Sequence, residues 1–235
     1  MKLIFNILTG VLLALVPVKA ATITGTFSAQ VEEDEIDAFS GAVDQAFFNV
    51  QGDDDAFTVY SLVDFPTTSI SLPSGAQVVG LSLSLTQSNA FFSSDGGLEF
   101  FLASDTRAID LSDSARYQTN NPPGNLGGDV VGTSFGTLLS LGTGAYAEAN
   151  TGDTDIFSLT VSSSVEAFIL SQIGAGDLLR VIATPADLGV QATYSGANSQ
   201  LDPPSPPVLT LTIVPEPSVA LLSLFGLLIA ARRRR

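Results

Sequence analysis

Apolar residues recur at every second position through short stretches of the chain, and clusters of Gly, Pro, Asn and Asp separate those stretches. This period marks half-buried strands joined by turns, because successive side chains of a strand point to opposite faces. Residues 23–27, 46–51, 57–63, 78–86, 98–102, 157–161, 178–183 and 208–213 carry it. The run 78–86 is the clearest: Leu81, Leu83 and Leu85 face a core, while Ser82, Ser84 and Thr86 face water or a partner. Residues 163–174 change period. They open on serines, set Val165, Phe168, Ile169 and Ile173 at helical spacing and close on Gly174, which predicts a short helix sealing one end of the β structure. The stretch 117–144, with Asn120-Asn121-Pro122-Pro123-Gly124 inside it, reads as a long loop holding a strand or two, a place where binding function tends to sit. Residues 201–207, rich in proline, form a stiff extended lead into the last strand. The fold class predicted is all-β, an antiparallel β-sandwich with one short helix.

Both ends depart from the alternation. Lys2, the apolar run 3–16 and Val18-Lys19-Ala20 have the order of a signal peptide over residues 1–20, cut after Ala20. At the other end Val214-Pro215-Glu216-Pro217 precedes an apolar run, 218–231, and then Arg232, Arg233, Arg234 and Arg235. These fourteen apolar residues, at about 1.5 Å each, make roughly 21 Å of helix against a hydrocarbon core of about 30 Å, a marginal single transmembrane helix. The arginines belong on the cytoplasmic side, which puts the body of the chain outside the inner membrane. Two readings fit, a temporary anchor with a sorting signal and an ordinary single-pass anchor. The chain thus divides into a signal peptide (1–20), an acidic segment with the first strand (21–45), a sandwich domain (46–213) and a sorting or anchor segment (214–235).

The C-terminal order closely resembles the PEP-CTERM sorting signal, whose three parts all occur between Val214 and Arg235. The resemblance implies recognition by an exosortase-type processing enzyme after export by the general secretion machinery. It also implies cleavage near Pro215-Glu216-Pro217 and delivery of an inner-membrane-anchored precursor to the surface or extracellular matrix of a Gram-negative bacterium. The region 48–213 resembles, more loosely, the DNRLRE-type domains of bacterial surface proteins, which are jelly-roll sandwiches. The likeness is carried by Ser61-Leu62-Val63-Asp64-Phe65, by Leu72-Pro73-Ser74-Gly75-Ala76 with the strand after it, by the helix near 164–173, and by Tyr194-Ser195-Gly196. That family commonly has Arg where Val63 stands, so the likeness bears on fold and carries no binding site across.

Charge narrows the partners. Six of the nine basic residues lie in the two terminal segments, leaving Arg107, Arg116 and Arg180 against 23 of the 24 acids, a net charge near −20 for residues 21–213. Such a surface repels phosphate backbones, so nucleic acid is not a partner. Without Cys or His, disulfides, His-based triads, thiol nucleophiles and the usual zinc and copper sites are excluded.

Oxygen chemistry remains. Asp53-Asp54-Asp55 after Gly52, and Asp153-Thr154-Asp155 after Gly152, are the candidate calcium ligands, because carboxylates one residue apart on a turn can converge on a hard cation; the same runs also read as solvated turns. Phe91, Phe92 and Tyr117 are the candidate ligand contacts, flat rings near loops that suit sugar faces; edge-of-core packing is the other reading. No catalytic residue is assigned. The expected function is non-enzymatic, a structural or adhesive surface protein associated with exopolysaccharide or biofilm. The alternatives are a calcium-stabilised carbohydrate-binding module and, behind it, a carboxylate-based glycoside hydrolase.

Overall fold

A computed structural model describes residues 18–31, 38–39, 42–43, 45–52, 59–88, 93–109 and 135–215. The elements in chain order are β1 (Lys19–Thr24), β2 (Phe27–Val31), β3 (Ala38–Phe39), β4 (Ala42–Val43), β5 (Phe47–Gln51), β6 (Tyr60–Pro66), β7 (Gln77–Thr86), β8 (Gly96–Ala103), β9 (Leu138–Tyr146), β10 (Thr154–Leu159), α1 (Ser163–Ala175), β11 (Leu178–Pro185), β12 (Gln191–Ser195) and β13 (Val208–Val214). Two sheets carry the fold, one ordered β1-β13-β7-β10 and one ordered β2-β6-β11-β8-β9, with β12-β5 and β3-β4 as two-stranded ribbons. Every strand pairing described is antiparallel. The architecture is therefore an all-β, sandwich-like arrangement with one helix.

Alternation builds the core. Leu81, Leu83 and Leu85 of β7 and Leu209, Leu211 and Ile213 of β13 are buried, and they pack with Val63, Phe65, Phe100 and Val181 of the second sheet. The ribbon adds Phe48, Val50, Ala192 and Tyr194 to the same core. Strands β6 and β11 bury both of their faces, so they read as continuous apolar runs instead of alternating ones. Their second face belongs to a separate cluster, in which Leu62, Ile182 and Phe101 lie with Phe135; the ring of Phe135 meets Tyr60 edge-on at 6.1 Å.

Two features join the sheets. Between β1 and β2 the chain passes from one sheet to the other through Gly25 and Thr26, whose N–H groups donate to Pro207 O at 2.8 Å and Asp64 O at 3.0 Å respectively. A Cβ on Gly25 would stand 2.6 Å from Val63 Cγ2, so this crossing needs glycine. On the opposite side Thr160 N donates to Leu141 O at 2.7 Å, linking the end of β10 to β9.

Helix α1 forms where the period changes. Ser162 is its N-cap, accepting from Val165 N at 3.3 Å, and Gly176, at φ 69°, closes it in the left-handed conformation. Val165, Ile169 and Ile173 face the core, and Phe168 packs against it half-buried. Glu166 Oε1 accepts from Val78 N at 3.1 Å, and Thr67 Oγ1 donates to the carbonyls of Gln172 and Asp177. The helix thus ties to the start of β7 and the end of β6, closing one end of the core as its sequence predicts.

Some boundaries move. The cap is one residue earlier than the expected helix start, the closing glycine is Gly176 while the expected Gly174 lies within the last turn, β10 begins at Thr154 rather than 157, and β12 is a strand where none was marked. The proline-rich segment contains a cis peptide bond, Asp202-Pro203. Among the described residues no helix is long and apolar enough to cross a membrane; residues 1–17 and 216–235, which carry most of the expected signal peptide and most of the sorting segment, lie outside them, while Lys19 and Ala20, the last of the expected signal peptide, stand in β1.

Candidate functional site

The two segments that read as membrane-directed join the described fold side by side. Lys19 pairs with Ile213 and Ala20 with Thr212 in the antiparallel β1–β13 ladder. The chain therefore enters β1 next to the point where it leaves β13. Val214, half-buried, pairs with Gln77 as the last residue of β13, and Pro215 follows at once. A proline cannot donate to a ladder, which explains why the strand stops there. Glu216, Pro217 and Arg232 to Arg235 lie outside the described residues, as do Asp53, Asp54, Asp55, Phe91, Phe92 and Tyr117.

Asp153 and Asp155 are described, and they face different partners. Asp153 Oδ2 accepts from Asn150 N at 3.0 Å and Asn150 Nδ2 at 3.2 Å, a turn closed by Gly152 at φ 97°. Asp155 Oδ2 accepts from Gln87 Nε2 at 2.9 Å and from Tyr194 Oη at 2.8 Å. Among the described residues no group of three or more His, Cys, Asp or Glu side chains is placed to share a metal ion.

The hub of this region is Gln87, a fully buried residue that carries no sequence signal. Its Nε2 also donates to Ala147 O at 2.9 Å, while its Oε1 accepts from Ala149 N at 2.9 Å and Tyr146 Oη at 3.4 Å. Gln87 N donates to Asp153 O and Gly152 N donates to Gln87 O, each at 2.8 Å. One amide thus fixes the 147–153 turn against the core. Tyr146 and Tyr194 meet edge-on at 5.5 Å, both buried, so they pack as core rings and offer no stacking platform. Burial, with the neighbouring Asp155 charge, pushes the Tyr194 phenol far above its ordinary 10.0. Burial likewise raises Tyr146.

A second buried polar pair lies on the far face of the five-stranded sheet. Arg180 Nε and Nη2 donate to Asp64 Oδ1 and Oδ2, and Arg180 Nη1 donates to the carbonyls of Arg107 at 3.0 Å and Asp105 at 3.4 Å. Burial raises the Asp64 carboxyl above 3.8, opposed by the Arg180 hydrogen bonds and charge. This pair clamps the start of the segment after β8 onto the sheet. Asp105 itself is held down at about 2 by hydrogen bonds from Arg107, with which it forms an ion pair.

The sequence matches no family model, and no curated protein matches it.

Proposed function

We propose that this chain is an exported surface or matrix protein. Its jelly-roll-like sandwich serves a non-catalytic structural or adhesive role, and an exosortase-type enzyme sorts it through Val214-Pro215-Glu216-Pro217, the apolar run and Arg232 to Arg235. The observation that carries this reading is the adjacency of Lys19 and Ile213, with β13 ending directly at the Pro-Glu-Pro motif. A body whose two membrane-directed segments leave from neighbouring strands can fold while held at one point of the membrane. Cleavage beyond Val214 then releases it with the β13 ladder whole.

The test replaces Pro215, Glu216 and Pro217 together with alanine in the native host. The expected result is an unprocessed precursor that stays in the membrane fraction. Normal processing and release of the variant contradicts the sorting role. A second reading, a carbohydrate-binding module, is supported by the hydroxyl-rich outward rows of the four-stranded sheet; nothing on that face bears on calcium.

A further inference from the structure

The outward positions of β1, β13, β7 and β10 align in cross-strand rows. Thr22 pairs with Thr210, Thr210 with Ser82, and Ser82 with Ser158, so one row crosses the whole sheet with a hydroxyl on every strand. The next row, two residues on, runs Thr24, Val208, Ser84, Ile156, and Thr86 and Thr154 follow with their hydroxyls 3.3 Å apart. On the other side Thr212 stands opposite Gly80, where a Cβ would lie 3.1 Å from Thr212 Oγ1; glycine there leaves the Thr212 hydroxyl uncrowded. Strands about 4.8 Å apart and alternate residues roughly 6.7 Å apart make this a two-dimensional hydroxyl lattice.

Two independent features distinguish this face from an ordinary solvated sheet. Its outward rows carry no charged side chain: Asp155, the one acid within β10, turns inward to Gln87 and Tyr194, β7 and β13 contain no charged residue, and Lys19, exposed at the very start of β1, falls in the alternate register with buried Ile23. That neutrality occurs in a chain of net charge −15. Exposed apolar side chains also gather here. Among the described residues the large apolar side chains that remain exposed are Val18 (65%), Val79 (55%), Ile156 (71%) and Leu188 (40%). Ile156 lies on the outward side of this sheet, Val79 is exposed where the β7–β13 register shifts, and Val18 immediately precedes β1.

Methyl groups between regularly spaced hydroxyls, with no charge, match the surface of a neutral sugar polymer, which presents ring C–H faces and hydroxyls. A phosphate or a uronate would find no cation in these outward rows. A second copy of the chain would bring two strongly acidic bodies together. We infer that the outer face of the β1-β13-β7-β10 sheet binds a neutral, hydroxyl-rich polysaccharide. This inference rests on the carbohydrate-binding reading and names its surface, separate from the loop aromatics expected from sequence.

The test uses the purified full chain in detergent and measures its depletion from solution by microcrystalline cellulose, insoluble β-1,3-glucan and starch granules, with alginate gel as the charged comparison. The neutral polymers should deplete it, alginate should not, and raising salt to roughly 1 M should change little, since exposed charges carry none of the binding. Ser82→Lys with Thr210→Lys should weaken retention by about tenfold or more, as should Ser82→Ala with Thr210→Ala, which perturbs the strands less. Ala167→Lys, which adds a positive charge at an exposed position of α1 away from this sheet, should bind like the wild type. Failure of every neutral polymer to retain the wild type overturns the inference. So does equal retention of the folded Ala or Lys pairs, or a dimer in sedimentation that the Lys pair abolishes. Processing of the C-terminal segment does not enter the assay, so a negative result here leaves the sorting role standing, and the reverse.

Discussion

Arg180 on β11 and Asp64 on β6 stand opposite each other in register and share two hydrogen bonds, each 2.7 Å, with side chains only 2% and 9% exposed. Desolvating both charges is expensive, and the fork geometry offsets that cost only while both partners remain. Arg180→Met should therefore destabilise the fold by about 3–5 kcal/mol in urea unfolding, whereas Arg180→Met combined with Asp64→Leu should recover most of the loss. A double variant no more stable than Arg180→Met would contradict this coupling.

The same pair sets a pH dependence with a definite sign. Asp64 has a raised pKa in the folded state, and removing Arg180 removes both influences that lower it. A carboxyl that binds its proton more tightly when folded makes stability fall as pH rises from the unfolded value, near 3.8, through the folded one. Arg180→Met should accordingly regain stability relative to wild type as pH drops through that window, measured by melting in a pH series.

Tyr194 makes the opposite end of the range informative. Above its ordinary 10.0 the unfolded chain loses the phenolic proton while the folded chain, which buries Tyr194 against Asp155, keeps it. Stability should fall by about 1.4 kcal/mol per pH unit above that point from this group alone. Tyr194→Phe should flatten that decline, at the expense of one hydrogen bond near neutral pH; an unchanged alkaline slope would show that Tyr194 does not set it.

Much of the fold is legible in the chain because local rules and burial agree. In β7 and β13 alternating Leu and Ser or Thr meet a one-sided environment, and in α1 a serine opens the apolar stripe, although the glycine that closes it is Gly176 and not Gly174. Strands β9 and β12 were harder to see, since Leu138–Tyr146 is broken by Gly142 and Gly144 and Gln191–Ser195 is short and polar. Long-range pairing supplies what those sequences lack: β12 against β5, and β9 against β8. The polar hubs were invisible for the same reason. Nothing near Asp64 announces a partner 116 residues away, and Gln87 gains its role only when the 147–153 turn closes over it.

The ends of α1 offer a separate check on how the core is closed. Ser162→Ala removes the cap acceptor for Val165 N, and Gly176→Ala places a side chain at φ 69°. Each should cost about 1 kcal/mol and lower the Tm by roughly 2–4 °C, without altering the secondary structure seen by circular dichroism. Larger losses would mean that the helix ends carry tertiary contacts beyond their caps.

The termini make the last prediction, because the two cuts expected from sequence meet the sheet differently. A cut beyond Val214 leaves β13 whole, a central strand bonded to both β1 and β7. A cut after Ala20 removes Lys19 and Ala20, which pair with Ile213 and Thr212 on the edge strand. Both side chains are exposed, so little apolar burial is lost with them. A chain spanning residues 21–217 should thus stay folded and lose no more than about 1–2 kcal/mol relative to one spanning 19–217. A chain ending at Leu209 loses Leu211 and Ile213 from the core and should fail to fold. Urea titration of the three chains decides the point: cooperative unfolding of the Leu209-terminated chain would mean that the sheet does not depend on β13, and the argument linking the motif after Val214 to an intact released body would fall with it.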